Sequence, residues 1–165
     1  MAMFKQGDST MTKEDRKRIE EQGPITPIWV VKTMTYINLF VYRVSKGRLM
    51  NKLGGGPICL VEMTGARTGK KRTFPVMYVP DGDDVLVVAS IGGAPSNPAW
   101  YHNLIANPIV KITQGGKTRS MQARQLSGQE REEAWPTCVE HYLPYSEYKT
   151  RTNREIPVFR CVPVE

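Results

Sequence analysis

Phe74-Pro-Val-Met-Tyr-Val-Pro-Asp-Gly-Asp-Asp-Val-Leu-Val-Val-Ala-Ser90 is the stretch that decides the fold. Phe74 to Val79 and Val85 to Ser90 are short apolar runs rich in β-branched residues. Asp81-Gly-Asp-Asp84 lies between them, and an Asp-Gly step between two such runs predicts a β-hairpin. The pattern repeats downstream, where Ile109–Thr113 and Arg119–Arg124 flank Gln114-Gly-Gly-Lys117. Pro57–Met63 and Ile156–Val162 read as two more strands. Several short antiparallel strands with few helices predict a mainly β, α+β chain built as a small barrel.

Three helices are expected around these strands. Over residues 27–46, Val30, Met34, Ile37, Val41 and Val44 recur at spacings of four and three, with Trp29 and Phe40 beside the stripe and Lys32, Arg43 and Lys46 opposite it. Gly54-Gly55-Gly56 then reads as a mobile connection. Asn97 is expected to cap a short helix with Pro98 at its first position. Ser127, with Glu130 three residues on, forms a capping-box pattern for a helix running to about Tyr142. The domain expectation is a polar tail over 1–26 and one domain over 27–165 that begins with the amphipathic helix 27–46.

The 165 residues suffice for one self-supporting core. The formal net charge is +7, which alone fits a nucleic-acid binder, a membrane-surface protein or an enzyme for an acidic small molecule. Its distribution discriminates. Residues up to Gly56 carry a net +5 and the remainder only +2. A nearly neutral strand-rich region without a helix-turn-helix, zinc-finger or RNA-binding signature argues against nucleic acid. Cys59, Cys138 and Cys161 are far apart, with no C-x-x-C and no ligand-spaced partner for His102 or His141, so no metal site is expected. The cysteines read as small buried residues in a reducing cytosol. The sequence shows no secretion signal and no run long enough to span a membrane, so a cytoplasmic location is expected.

Within the neutral region Arg67, Lys70, Lys71 and Arg72 fall in Thr64-Gly-Ala-Arg-Thr-Gly-Lys-Lys-Arg-Thr73. Glycines let backbone N–H groups approach an anion, threonines add donors, and arginine grips phosphate or carboxylate bidentately. The spacing is not that of a Walker A loop. A solvated basic hairpin is the competing reading. A second stretch, Ala89-Ser-Ile-Gly-Gly-Ala-Pro-Ser-Asn-Pro-Ala-Trp-Tyr-His-Asn-Leu-Ile-Ala-Asn-Pro108, runs from a strand end into the short helix. Its Trp100 and Tyr101 suit either stacking on a flat ring or core packing. In Tyr142-Leu-Pro-Tyr-Ser-Glu-Tyr148 three tyrosines recur every three residues, as packing groups or as hydroxyls presented to a pocket.

Together, in this order, the T-G-x-x-T-G-x-x-R block, the A-S-x-G-G-x-x-x-N-P-x-W-Y-x-N-L-x-A-N-P block and the tyrosine triplet resemble the deazaflavin (coenzyme F420)-dependent nitroreductase and quinone reductase family. The resemblance covers about Thr64 to Val158, and more loosely reaches back to residue 27. It implies a split β-barrel of the kind that also binds FMN, and hydride transfer from reduced coenzyme F420 to quinones, activated enones or nitroaromatics. It implies that Arg67, Thr68 and Arg72 hold the cofactor's phosphate and acidic tail. Pro75, Val76 and Met77 would pass along the ring, with Val88, Ala89, Ser90 and Ile91 opposite, while Ala99, Trp100, Tyr101, His102 and Asn103 complete the cleft. Ser90 would orient or protonate the acceptor, and Tyr145, flanked by Tyr142 and Tyr148, would contact cofactor or substrate. This sequence departs from the family pattern at Ala66, where relatives have Arg, and at Met77, where they have Tyr.

The alternatives are an FMN-binding split barrel and a deazaflavin carrier without turnover. The expected partner is a small-molecule acceptor, and the chain is expected to be a monomer or homodimer. The basic face of the helix near 28–46, with Trp29 near one end, also suits peripheral association with the inner face of the cell membrane. Packing of that helix on the barrel is the competing reading.

Overall fold

The computed structural model describes residues 52–53 and 56–164, with Ile37 and Val41 as isolated helical positions. The expected tail over 1–26 and nearly all of the expected helix 27–46 lie outside the described residues. The strands are β1 (Lys52–Leu53), β2 (Gly56–Thr64), β3 (Lys71–Met77), β4 (Val79–Asp81), β5 (Asp84–Val88), β6 (Ile109–Gln114), β7 (Lys117–Gln125) and β8 (Val158–Pro163). The helices are α1 (Ala99–Ala106), α2 (Gly128–His141) and α3 (Pro144–Thr150), and a short turn of helix spans Ile91–Gly93.

All pairings are antiparallel, in the order β1-β2-β6-β7-β8-β5-β4, with β3 on the other edge of β2. β3 and β4 are one chain segment interrupted only at Tyr78. The first half pairs with β2 (Ile58 with Met77) and the second with β5 (Val79 with Leu86). That segment therefore joins the two ends of the sheet and closes it into a barrel. Extending the β4–β5 register beyond Tyr78 would set Met77 against Val88, Val76 against Ala89 and Pro75 against Ser90, but no ladder joins these residues. The barrel is split there, between β3 and the end of β5.

Local chemistry supports the split. Tyr78 donates its N–H to Pro57 O at 2.8 Å. By antiparallel alternation the N–H groups of Val76 and Phe74 also face β2, and position 75 faces the opening. Pro75 has no N–H to present there, as suits an unpaired edge.

Alternation along the strands makes two layers. Cys59, Val61 and Met63 of β2, Val85 and Val87 of β5, Val110 and Ile112, Met121 and Ala123, and Phe159 and Cys161 fill the barrel. Leu86 and Val88 point outward with Val158 and pack under α2 and α3 against Ala134, Trp135, Cys138 and Tyr145. β5 is thus buried on both faces, at about 1.5–3 kcal/mol for each side chain removed from water. The expected antiparallel, mainly β barrel is the one observed.

Several local expectations are corrected. Gly56 belongs to β2 rather than to a mobile connection. Asn97 does not cap α1, because its Oδ1 accepts from Arg154 Nη1 at 2.8 Å and Pro98 occupies the cap position. The Ser127 side chain makes no cap bond, and Glu130 is held instead by Arg124 through bonds of 2.8 and 2.5 Å. The tyrosine segment, expected only to follow a helix, supplies a helix of its own, α3, with Pro144 in its first turn.

Candidate functional site

The turn between β2 and β3 is closed by Gly65 N–H to Lys70 O and by Gly69 N–H to Gly65 O, both 2.9 Å. Gly65 is buried. A Cβ there would lie 2.9 Å from Thr68 Oγ1, 3.2 Å from Lys70 O and 3.4 Å from Arg72 Nε. Only glycine lets the Thr68 hydroxyl and the Arg72 guanidinium converge over the same point. Arg67, Lys70, Lys71 and Arg72 are all exposed, and among the described residues none has a carboxylate partner. Lys71 donates to Thr64 Oγ1 at 3.2 Å. The turn is tied to α1 at two points. Ala66 N–H donates to Asn103 Oδ1 at 2.9 Å, and Asn107 Nδ2 donates to Thr64 O at 3.3 Å.

The opening of the barrel leads away from this turn. On the β3 side Val76 points into the barrel core, while Pro75 and Met77 are half-buried. Met77 meets Tyr142 over Gly56, where an added Cβ would overlap Met77 Cε and lie 3.3 Å from Tyr142 Cδ2. On the β5 side Ala89 faces the barrel core and Val88 the outer layer. Ser90 is 7% exposed, and among the described residues its hydroxyl has no hydrogen-bond partner. Ile91, Gly92 and Gly93 follow in the left-handed region at φ 44°, 69° and 78°. This conformation is routine for glycine and strained for a β-branched residue. Ile91 is nevertheless 55% exposed. Gly93 abuts α3, since a Cβ there would lie 3.0 Å from both Tyr148 O and Arg151 Cβ.

The aromatic residues divide between the barrel and the outer layer. Trp100 is 8% exposed and leans on Phe159 within the barrel core. Tyr101 stands edge-on to Phe159 and donates its hydroxyl to Gln125 Oε1 at 3.0 Å. His102 and Ala99 face solvent. Tyr145 is buried at 2% exposure between Trp135, Tyr142 and Tyr148, with ring centroids 5.0–6.1 Å away. Tyr142 and Tyr148 are half-buried, and their hydroxyls lie 3.4 Å apart. Burial and the Tyr148 hydroxyl push the Tyr142 phenol upward, and burial does the same for Tyr145, so both remain protonated donors.

The fold thus brings together Ser90, Ile91 and the α3 tyrosines through Gly93, and places Met77 beside Tyr142. It separates Trp100 and Tyr145 from the surface. Arg154 was not singled out from the sequence. It donates from Nε to Ala94 O (2.9 Å), from Nη1 to Asn97 Oδ1 (2.8 Å), and from Nη2 to Ala89 O (3.0 Å) and Ser90 O (3.1 Å). It lies in an irregular segment with no periodicity to flag it.

The Thr68 hydroxyl and the Arg72 guanidinium, converging over buried Gly65, are donors of the kind that suit phosphate and carboxylates. The chain is thus a split antiparallel barrel with a cationic turn near its opening and phenolic and serine hydroxyls farther along it. The comparisons place the chain within one family of such barrels. The profile of the F420H(2)-dependent quinone reductase family matches residues 35–163, and the chain belongs to that family. It is 40% identical over 122 residues to an F420H(2)-dependent quinone reductase of Mycobacterium tuberculosis, covering 72% of this chain and 82% of that one. A solved F420-H2 dependent reductase is 48% identical, with a TM-score of 0.61, over 64% of this chain and 93% of its own. A second solved chain, described as a domain-swapped dimer, is 39% identical with a TM-score of 0.62 over 78% and 98%. The family is one of oxidoreductases that use reduced coenzyme F420, so the expected deazaflavin cofactor holds and the FMN alternative is set aside. Among the described residues no helix is long and apolar enough to cross a membrane.

Proposed function

We propose that this protein transfers a hydride from reduced coenzyme F420 to a quinone bound in the opening between β3 and the end of β5. The observation that carries the reading is the turn beside that opening in which Thr68 and Arg72 converge over Gly65, within a run of four exposed cations that have no carboxylate partner among the described residues. In this reading Arg67, Thr68 and Arg72 hold the cofactor's phosphate and acidic tail, and Asn103 fixes the turn that carries them. Pro75, Met77, Ser90 and Ile91 border the ring and the acceptor. Val76, Val88, Ala89, Trp100 and Tyr145 back those surfaces from the two cores.

The bound cofactor supplies the hydride chemistry; the protein binds, orients and shields. Adding hydride to a quinone leaves negative charge on an oxygen. The Ser90 hydroxyl, without a partner among the described residues, would donate to that oxygen, and the Tyr142 and Tyr148 hydroxyls, 3.4 Å apart, form a second pair of hydroxyls. Enones develop the same oxygen charge and belong to the same acceptor class. Met77 makes this part of the wall apolar and pliable.

The basic segment up to Gly56, with its net +5, would rest on an anionic membrane, where lipophilic quinones reside. Flotation with anionic liposomes should depend on residues 1–46, and equal flotation without them refutes the membrane role. Titration with coenzyme F420, FMN and haem, followed by tryptophan fluorescence, tests the cofactor reading. Saturable quenching by the deazaflavin that weakens with salt is expected, and a response to FMN alone overturns it.

A further inference from the structure

We infer that Arg154 is a positioning residue that clamps the Ser90–Ile91 turn in its strained shape and so sets the acceptor side of the opening; the inference rests on the functional reading above. Three observations converge on it. Among the described residues, all the hydrogen bonds that the Arg154 side chain donates end within residues 89–97, at Ala89 O, Ser90 O, Ala94 O and Asn97 Oδ1. That stretch contains Ile91, the only described non-glycine residue at positive φ. Strain of this kind persists only where surrounding contacts over-determine it. The Ile91–Gly93 turn has just two backbone hydrogen bonds of its own, Gly93 N–H to Ser90 O at 3.0 Å and Ala94 N–H to Ile91 O at 3.3 Å.

Arg154 grips both flanks of that turn. Nη2 holds the carbonyls before the strained residue, and Nε and Nη1 hold groups after it. The planar guanidinium fixes these acceptors relative to one another, which a lysine ammonium cannot reproduce. The segment carrying it is itself fixed by Arg154 N–H donating to Thr152 Oγ1 at 3.3 Å. On the far side Gly93 rests against the backbone of Tyr148, so the turn cannot relax toward α3. The clamp thereby holds the Ser90 hydroxyl and the exposed Ile91 side chain in one place before an acceptor arrives.

The test uses the full-length protein with Arg154→Gln and Arg154→Lys. Amide hydrogen exchange is measured without cofactor, and kcat, KM for menadione and the dissociation constant for coenzyme F420 are measured with it. In Arg154→Gln, the Gly93 and Ala94 amides should exchange at least about tenfold faster while the β6 and β7 amides are unchanged. Its kcat should fall at least about tenfold, with cofactor affinity within about threefold of wild type. Arg154→Lys should show the same pattern at smaller amplitude and decides the matter if Arg154→Gln does not fold. Unchanged exchange at residues 93–94, or faster exchange with unchanged kcat, overturns the inference. A uniform rise in exchange across the barrel in both variants also overturns it, in favour of a purely structural role. If the wild-type protein fails to reduce menadione, the functional reading falls, and the exchange pattern still decides whether the clamp exists.

Discussion

Asn103 Oδ1 accepts the Ala66 N–H at 2.9 Å, joining residues 37 apart in sequence. This bond locks the cationic turn onto the first helix of the region and fixes the direction in which Arg67 and Arg72 project. Asn103→Ala should therefore weaken coenzyme F420 binding by about 1 kcal/mol, roughly fivefold, with little change in thermal midpoint. Fluorescence titration beside a thermal melt separates the two effects. A lowered midpoint with unchanged affinity would assign the bond to stability alone.

The cations themselves should contribute more. Each charge-assisted contact is worth roughly 1.5–3 kcal/mol, and exposure places Arg67 and Arg72 at the low end. Arg67→Ala and Arg72→Ala should each weaken the cofactor about tenfold, and raising salt should narrow the difference from wild type. Lys149→Ala, an exposed cation on α3, serves as the control and should change nothing. Unchanged affinity in both arginine variants would refute the placement of the anion site.

Ser90 carries a different prediction because its hydroxyl is nearly buried and unpaired among the described residues. Removing one preorganised donor to a developing oxyanion costs about 10²-fold in rate. Ser90→Ala should lower kcat with menadione by about that factor and leave cofactor affinity unchanged. A rise in KM alone would make Ser90 a binding contact.

Alkaline pH probes the two packed layers. Burial pushes the Cys59, Cys138 and Cys161 thiols from 9.0 up to about 12. A group whose folded pKa is raised contributes stability that is complete below its unfolded pKa and is lost as pH rises toward the folded value. Unfolding free energy should be insensitive to these thiols below pH 9 and then fall by about 1.4 kcal/mol per pH unit for each of them. Denaturant melts across that range should show the slope, and a Cys59→Ala, Cys138→Ala, Cys161→Ala variant should flatten it. An equal slope in the variant would trace the effect to the tyrosines alone.

The strands were legible because their signals are local. Asp81-Gly82 and Gly115-Gly116 dictate tight turns, and the alternation of Cys59, Val61 and Met63 with Ile58 and Leu60 survives in a strand buried on both faces. The split at Tyr78 was not legible from periodicity, since Val79 and Pro80 continue the apolar run and only barrel closure makes the chain change partners. Competition for side chains defeated the two capping assignments. Asn97 and Glu130 are suited to helix starts, but Arg154, from a distant segment, engages Asn97, and Arg124, at the end of the preceding strand, engages Glu130. In the site, the residue blocks identified the cationic turn and the Ser90 loop. The burial of Tyr145 and the grip of Arg154 depend on how α3 folds back over the end of β5, which no local pattern encodes.

The central claim is that hydride passes from the reduced deazaflavin to a quinone in the opening of the split barrel. Anaerobic mixing of the protein with chemically reduced coenzyme F420 and menadione, followed by return of the oxidised cofactor's visible absorption, tests it directly. The account predicts enzyme-dependent, saturable reoxidation that is lost in Arg67→Ala/Arg72→Ala and slowed in Ser90→Ala. Reoxidation no faster than in the absence of protein, with the cofactor shown to be bound, would contradict it and leave a deazaflavin carrier.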